Sequence, residues 1–466
     1  MNVKKMANKV GLPARRECRI TVIVMIILSG FAAMAAAPPE PLPPVPTPAQ
    51  LAWQEMEYGM FCHFGINTFH NEEWTDGTKD PQTFNPTDFN GRQWVEVAKE
   101  VGMKYIVVTA KHHDGFCTYP TAHTDYGVTS SPWRDGRGDV IREVADACHE
   151  LSIMFGFYLS PWDRHEPRYD DNEAYDEYFK SLLRELLTGY GPVGEVWFDG
   201  AGTKGHVYDW AGYYALIREL QPQALIAICG PDIRWVGNEQ GVAPETLWNV
   251  VERDGEKVWH PAECDVPIRK GQWFFHTNGE PRLRSIDEVV DVYYKSVGHG
   301  ATLLLNVSPD RRGLLPESDV ARLRQLQQIV SETFRNNLAQ GKPATATNVR
   351  GNDPAFGPEK ALDGDPTTYW ATDDGVTEAS FEVDLGTPTT FNRSMIQEHI
   401  ALGQRVEEYS LAAWNGRRWK RVVTGTTIGH KRLDRFPDVT ASKVRLTIHK
   451  SLACPTIRAF GVYRAE

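Results

Sequence analysis

Between residues 55 and 335 the chain alternates short apolar runs with longer stretches of helical period, and few folds accommodate that alternation. Residues 59–64, 105–109, 155–159, 196–198, 225–229 and 302–306 read as buried strands. Residues 93–101, 140–151, 175–187, 210–220, 286–297 and 319–334 read as helices. Strands that alternate with helices build a parallel sheet covered by crossover helices. Such a run of about 280 residues, with no GxGxxG after its first strand, predicts a (β/α)8 TIM-like barrel over an open doubly wound sheet.

The helical period stops after Phe334. Beyond it, short alternating segments are broken by turn signals at Asp363-Gly364-Asp365 and Asn415-Gly416, the pattern of an antiparallel β-sandwich. The chain therefore divides into a barrel at 51–336 and a sandwich at 337–466. Ahead of both, residues 1–37 carry Lys4, Lys5, Lys9, Arg15, Arg16 and Arg19, an apolar run over 20–34, and Ala35, Ala36 and Ala37. That is the layout of a secretory signal peptide, with an apolar run short for a membrane span of about 20 residues. Residues 38–50 are proline-dense and predict an extended tether. The expectation is an exported protein, periplasmic or extracellular, with no span once the signal is removed.

Apolar residues at 41% and charged residues at 24% exclude disorder and a polytopic membrane protein. The net charge is −11, and residues 1–37 contribute six basic and one acidic residue, so the remainder stands at −16. A chain this acidic is a poor partner for nucleic acid or anionic membranes, while a neutral sugar is unaffected by it. Outside the signal the six cysteines contain no CxxC pair and are too sparse for a disulfide scaffold; they read as buried thiols.

Working side chains of a barrel enzyme come from the C-terminal ends of its strands. His63 ends the first strand, His112, His113 and Asp114 follow the second, Tyr158 closes the third, and Asp199 closes the fourth beside Trp197 and Phe198. An Asp after a strand is commonly a turn or cap residue; several polar residues on one rim converge on one pocket. Two readings of the histidines stay open: they bond sugar hydroxyls, or His63 with His112 or His113 and Asp199 holds a metal, although no HxH or HExxH spacing is present. After the fifth strand, residues 231–241 have the character of an active-site loop. Here Arg234 would clamp oxygens, Trp235 would stack on a pyranose, and Glu239 would pair with Asp199 across a glycosidic bond.

These residues, with Met60-Phe-Cys-His-Phe-Gly-Ile-Asn-Thr-Phe69, Glu73-Trp74, Lys104 to Phe116, Phe157 to Trp162, Glu195 to Gly200 and Leu303 to Asn306, closely resemble glycoside hydrolase family 29, the α-L-fucosidases. The residues 233–239 and Asn67-Thr68 look most like the subfamily acting on α-1,3/1,4-linked, Lewis-type fucose. The resemblance implies a retaining hydrolase in which Asp199 is the nucleophile and Glu239 the acid/base, with Glu245 in reserve. It implies that His63, Glu73, His112, His113, Tyr158 and Arg234 bind fucose, and that Trp74, Trp235 and Trp273 form aromatic walls. It implies no catalytic cofactor. Cys62, Thr75 and Tyr119 depart from the family pattern and bear on linkage and aglycone recognition. A broad-specificity fucosidase and a glycan-binding protein that has lost catalysis are the competing readings.

The C-terminal segment, through Ala361-Leu-Asp-Gly-Asp-Pro-Thr-Thr-Tyr-Trp370 and Phe381-Glu-Val-Asp-Leu-Gly386, resembles a discoidin-like, coagulation factor 5/8 type C domain of the kind found in carbohydrate-binding module family 32. Many such domains hold structural calcium, for which Asp363 and Asp365 are the implied ligands. The polar cluster Gln397, Glu398, Gln404 and Arg405 is expected to dock the sandwich onto the barrel.

Overall fold

The computed structural model describes residues 36–465 apart from Thr203. The signal-peptide reading of residues 1–37 falls almost wholly outside the described residues. Among the described residues no helix is long and apolar enough to cross a membrane.

A short helix α1 (Pro48–Gln54), closed by a Thr47/Gln50 capping box, precedes the first strand β1 (Tyr58–Cys62). A single turn of helix, α2 (Ile66–His70), follows it. The chain then alternates through α3 (Gly91–Glu100), β2 (Tyr105–Lys111), α4 (Val140–Leu151), β3 (Met154–Leu159), α5 (Asn172–Gly189), β4 (Glu195–Phe198), α6 (Trp210–Leu220) and β5 (Leu225–Ile228). Asn90, Asp139, Asp171 and Asp209 cap α3 to α6 by accepting from the backbone N–H three residues on, so each crossover starts where the sequence offers a cap.

After β5 the alternation lapses. A tight turn leads to β6 (Arg234–Trp235), and an antiparallel hairpin, β7 (Val250–Arg253) with β8 (Glu256–Trp259), leads to β9 (Ala262–Pro267). Helix α7 (Ile286–Ser296), strand β10 (Thr302–Asn306) and helix α8 (Glu317–Phe334) finish the domain. The parallel sheet runs β5-β4-β3-β2-β1-β10-β9-β6, and a bridge between Ala227 and Ile233 links its two edges. The barrel expectation is met, with helices missing after β5 and β6. Strands β6 and β9 escape the sequence pattern because one is two residues long and the other alternates acids, Glu263 and Asp265, with apolar residues.

The second domain is an antiparallel sandwich-like sheet ordered β12-β17-β13-β16-β14-β15, with β11 added to β13. Its strands are β11 (Ala344–Ala346), β12 (Trp370–Ala371), β13 (Ala379–Glu398), β14 (Val406–Trp414), β15 (Trp419–Gly425), β16 (Arg432–Ser451) and β17 (Thr456–Tyr463). Bulges in the two long strands β13 and β16 bend them around a core of Trp370, Phe381, Phe391, Tyr409, Leu411 and Phe460.

The sandwich docks on the part of the barrel that lacks helices and on the neighbouring helix α7, where Arg435 pairs with Asp291 and covers the Tyr294 ring. Gln404 accepts from the Asn249 N–H and Nδ2 (both 2.9 Å) and donates to the Leu247 carbonyl (2.8 Å). Thr427 accepts from the Leu247 N–H at 2.9 Å, and Arg432 donates to the Glu245 carbonyl at 2.9 Å. Lys431 and His430 close on Glu57: burial alone would raise that carboxyl, and the Lys431 charge with the hydrogen bonds from both side chains outweighs it and brings it to about 2. Of the expected docking cluster, Gln404 acts as anticipated. Glu398 works within the sandwich, accepting from the backbone N–H groups of Arg405, Val406 and Gly429. Arg405 holds the N-terminal segment by donating to the Glu40 carbonyl at 2.6 Å, and the Leu42 N–H bonds Leu402. Residues 37–42 are therefore strapped along the sandwich and are no free tether, because the carbonyls of Ala37, Pro38 and Glu40 accept from the buried guanidinium groups of Arg350 and Arg405. All six cysteines of the described residues are free thiols, five of them buried.

Candidate active site

Strand alternation decides which side chains enter the barrel. Phe61, Tyr105, Val107, Tyr158, Trp197, Ala227, Ile233 and Leu304 form an inner core plugged from below by Trp53 of α1. Two residues beyond Phe61, Trp197, Ile233 and Leu304 stand His63, Asp199, Trp235 and Asn306, in the same inward phase at the C-terminal rim. His63, Asp199 and Trp235 open into a cavity of ≈ 600 Å³.

That cavity is lined by His63, Glu73, Trp74, His112, His113, Asp199, Trp235, Glu239 and Trp273, all anticipated from sequence. Tyr158 sits against it, donating from its phenol to Asp199 Oδ2 at 2.9 Å. Arg234 is a correction. Its guanidinium donates to the carbonyls of His260 (2.9 Å) and Trp248 (3.1 Å), and it is not among the lining residues. The physical reason is the period of two: with Ile233 and Trp235 inward, Arg234 must point outward. Glu245 is likewise away from the cavity, at the domain boundary, where its carbonyl accepts from Thr426 and Arg432.

Burial raises the Asp199 carboxyl above its ordinary range, and donors oppose that rise: the N–H of Ala201 (2.7 Å), the Tyr158 phenol and the N–H of Gly200. The contrast with Glu195, on the same strand and in the same phase, is instructive. Glu195 is fully buried, faces the charge of Glu263, and has the indole N–H of Trp53 as its one donor among the described residues, so it lies well above the carboxylate range. Two desolvated carboxyls on one strand thus differ in the donors aimed at them.

Three histidines surround the cavity as neutral rings. Burial brings His63 down to about 3 despite its bond to Asn306, and brings His113 to about 3 with help from the Lys111 and Arg164 charges. Burial also holds His112 well below the ordinary range. Hydrogen-bond partners set two tautomers. The Asn306 amide donates to the Trp273 carbonyl (2.9 Å), so its Oδ1 accepts from His63 Nδ1 (2.8 Å). Ser160 donates to the Trp162 carbonyl (2.8 Å), so its oxygen accepts from His113 Nδ1 (2.7 Å). Both Nε2 atoms are left as acceptors, suited to hydroxyl donors of a sugar.

Glu73 ties two rim loops together, accepting from the N–H groups of Trp273 (2.7 Å) and Phe274 (3.3 Å). Burial raises its carboxyl and those bonds counter the rise. Glu239 is exposed at the mouth and accepts from Trp273 Nε1 at 3.2 Å. Its loop is cross-braced by Asn238, whose amide donates to the Val242 carbonyl (2.9 Å) and accepts from the Gln240 N–H (3.0 Å). Sequence reasoning missed Asp265, a buried lining residue from β9, and the tautomer-setting partners Asn306 and Ser160. The alternation of Glu263 and Asp265 is the signal that finds β9.

Among the described residues no group of three or more His, Cys, Asp or Glu is disposed to hold a metal. At the sandwich loop, any cation would depend on hydroxyl and carbonyl oxygens as well. Such oxygens do converge there: Thr368 Oγ1 lies 2.9 to 3.3 Å from both Asp363 carboxylate oxygens and the carbonyls of Lys360 and Asp365. One hydroxyl proton cannot serve four acceptors, and an all-oxygen set is what calcium prefers.

A parallel barrel whose rim gathers a buried carboxylate, an exposed carboxylate, neutral histidines and indoles in one cavity is the construction of a glycoside hydrolase. Residues 45–332 match the family model for alpha-L-fucosidase, and residues 343–459 match that of the F5/8 type C domain. The chain belongs to glycoside hydrolase family 29, the α-L-fucosidases, and carries a C-terminal discoidin-like domain. It is 39% identical to alpha-L-fucosidase 1 of Arabidopsis thaliana, over 95% of this chain and 92% of that protein. A Ruminococcus gnavus GH29 fucosidase solved in complex with fucose superposes with a TM-score of 0.87 at 32% identity, covering 94% of this chain and 98% of that one.

Proposed function

We propose that this α-L-fucosidase is exported, works with retention by double displacement, and releases terminal α-1,3/1,4-linked fucose from Lewis-type glycans. The observation that carries the reading is Asp199, desolvated in the cavity beneath Glu239 yet braced by Tyr158 and the Ala201 N–H. Fucose in the Ruminococcus gnavus relative supports a fucosyl ligand here. An Asp199 oxygen attacks the anomeric carbon as the glycosidic C–O bond breaks. The departing oxygen takes its electron pair and the proton of Glu239. Glu239, now ionised, removes a proton from water, whose oxygen attacks the same carbon and frees Asp199. The Nε2 acceptors of His63 and His113 orient sugar hydroxyls, and Tyr158 spreads charge on the nucleophile as it forms and loses its bond. In the sandwich, Asp363, Asp365, Thr368 and the Lys360 carbonyl would hold a structural calcium ion; chelation is then expected to lower the melting temperature and leave the catalytic residues untouched.

Proton NMR of the first product from 4-nitrophenyl α-L-fucoside tests the mechanism: α-fucose appearing first supports retention, β-fucose first refutes it. Free fucose released from Lewis-type trisaccharides and not from 2'-fucosyllactose supports the linkage; release from both means a broad fucosidase. Release from none of the three substrates would favour a glycan-binding protein.

A further inference from the structure

The cavity has an inner and an outer part. Its inner wall is buried: His63, His112, His113 and Trp197 are each at most 6% exposed. At its mouth stand two indoles, Trp74 at 52% and Trp235 at 41% exposure. A fucosyl unit seated against Asp199 fills the inner part, so the sugar to which it is linked leaves past these two rings.

The two mouth indoles are held in different ways. Trp74 meets His113 edge-on at 5.3 Å and Trp162 at 5.6 Å, so packing fixes its plane. Trp235 packs on no other ring among the described residues, and the strand that carries it is two residues long. Its Nε1 donates to Asp265 Oδ1 at 2.5 Å. Asp265 is 4% exposed, comes from β9 and lines the same cavity. Burial first, then the charge of Glu263, hold its carboxyl well above the usual range, with Glu239 adding to the effect. A short bond from a rigid barrel strand supplies the direction that ring packing supplies at Trp74.

We propose that Asp265 is a positioning residue for aglycone recognition: its bond to Nε1 sets the plane of Trp235, on which the pyranose carrying the fucose stacks. The inference rests on the fucosidase reading above and adds the residue that shapes its outer subsite. A pyranose presents a C–H face to an indole, and stacking is productive only when the ring plane is held.

The test measures kcat and KM separately for wild type, Asp265→Leu, Asp265→Asn, Trp235→Phe and the Leu/Phe double variant. Substrates are 4-nitrophenyl α-L-fucoside and whichever fucosylated trisaccharide the wild type cleaves. Asp265→Leu is expected to raise KM for the trisaccharide about tenfold more than for the aryl fucoside, one lost hydrogen bond's worth. Trp235→Phe keeps a ring without an N–H and should show the same split, and the double variant should lose nothing further. Asp265→Asn retains an accepting carbonyl and should recover most of the wild-type KM. Equal losses on both substrates, additive losses in the double variant, or an Asn variant as impaired as Leu would overturn the proposal. Should Asp265→Leu fail to fold, Trp235→Phe alone carries the test. A wild type that cleaves α-1,2-linked substrate refutes the linkage reading and leaves this split measurable; one that cleaves aryl fucoside alone overturns the proposal.

Discussion

The two halves of the barrel position their chemistry by different means. From β1 to β4 each strand is followed by a crossover helix, and His63, Tyr158 and Asp199 extend strand phases already committed to the core. From β5 to β9 there is no helix, and Glu239 rides a loop whose far end is bonded to another domain at Glu245, Leu247 and Asn249. A nucleophile needs a fixed donor set, which a packed strand end provides. An acid/base that meets the departing sugar stands at the exposed mouth, where only loop bracing and the second domain can hold it.

Substitutions can sharpen or break this contrast. Asp199→Asn removes the proposed nucleophile and is expected to lower kcat on the order of 10⁴-fold with an unchanged circular dichroism spectrum. Near-normal turnover would dismiss the rigid half as the seat of nucleophilic attack. Glu239→Gln should cost about 10² to 10³-fold on trisaccharides and far less on 4-nitrophenyl fucoside, whose aryloxide departs without a proton. If both substrates suffer equally, the mouth loop does not supply the acid.

Tyr158→Phe removes one of the donors that hold the Asp199 carboxyl down, so that carboxyl rises further above its ordinary range. Nucleophilic attack needs the ionised form, which is lost as pH falls; the acid limb of kcat/KM should therefore move to higher pH, with a drop of about tenfold at the optimum. An unmoved acid limb would assign it to another group. Gln404→Ala leaves the Asn249 donors and the Leu247 carbonyl unpaired at the domain boundary, and should destabilise by about 1–3 kcal/mol in denaturant titration. Its activity loss should be small and larger on trisaccharides than on aryl fucoside, because the loop of Glu239 loosens. A loss confined to stability would show that the sandwich braces the fold and not the loop.

The legible parts of the sequence lie mostly in the regular half. Strands β1 to β5 and β10 are apolar runs and their ends carry the chemistry, so His63, His112, His113 and Asp199 could be read directly. Strand β9 hides because its inward residues are acids, Glu263 and Asp265, bonded to Trp197, Tyr105 and Trp235 inside the barrel. Arg234 was misleading because a loop residue rich in donors looks like a ligand clamp, while the phase of Ile233 and Trp235 turns it to the carbonyls of His260 and Trp248.

What the sequence determined by itself is the barrel with its sandwich, the family, and the strand-end positions of His63 and Asp199, since local periodicity and strand-end motifs are properties of neighbouring residues. Only the tertiary structure decided that Glu245 stands at the domain boundary, that His63 and His113 present acceptors, and that Asp265 holds Trp235. Those facts depend on atoms brought together from distant strands, and a hydrogen bond between them leaves no mark on the spacing of either partner.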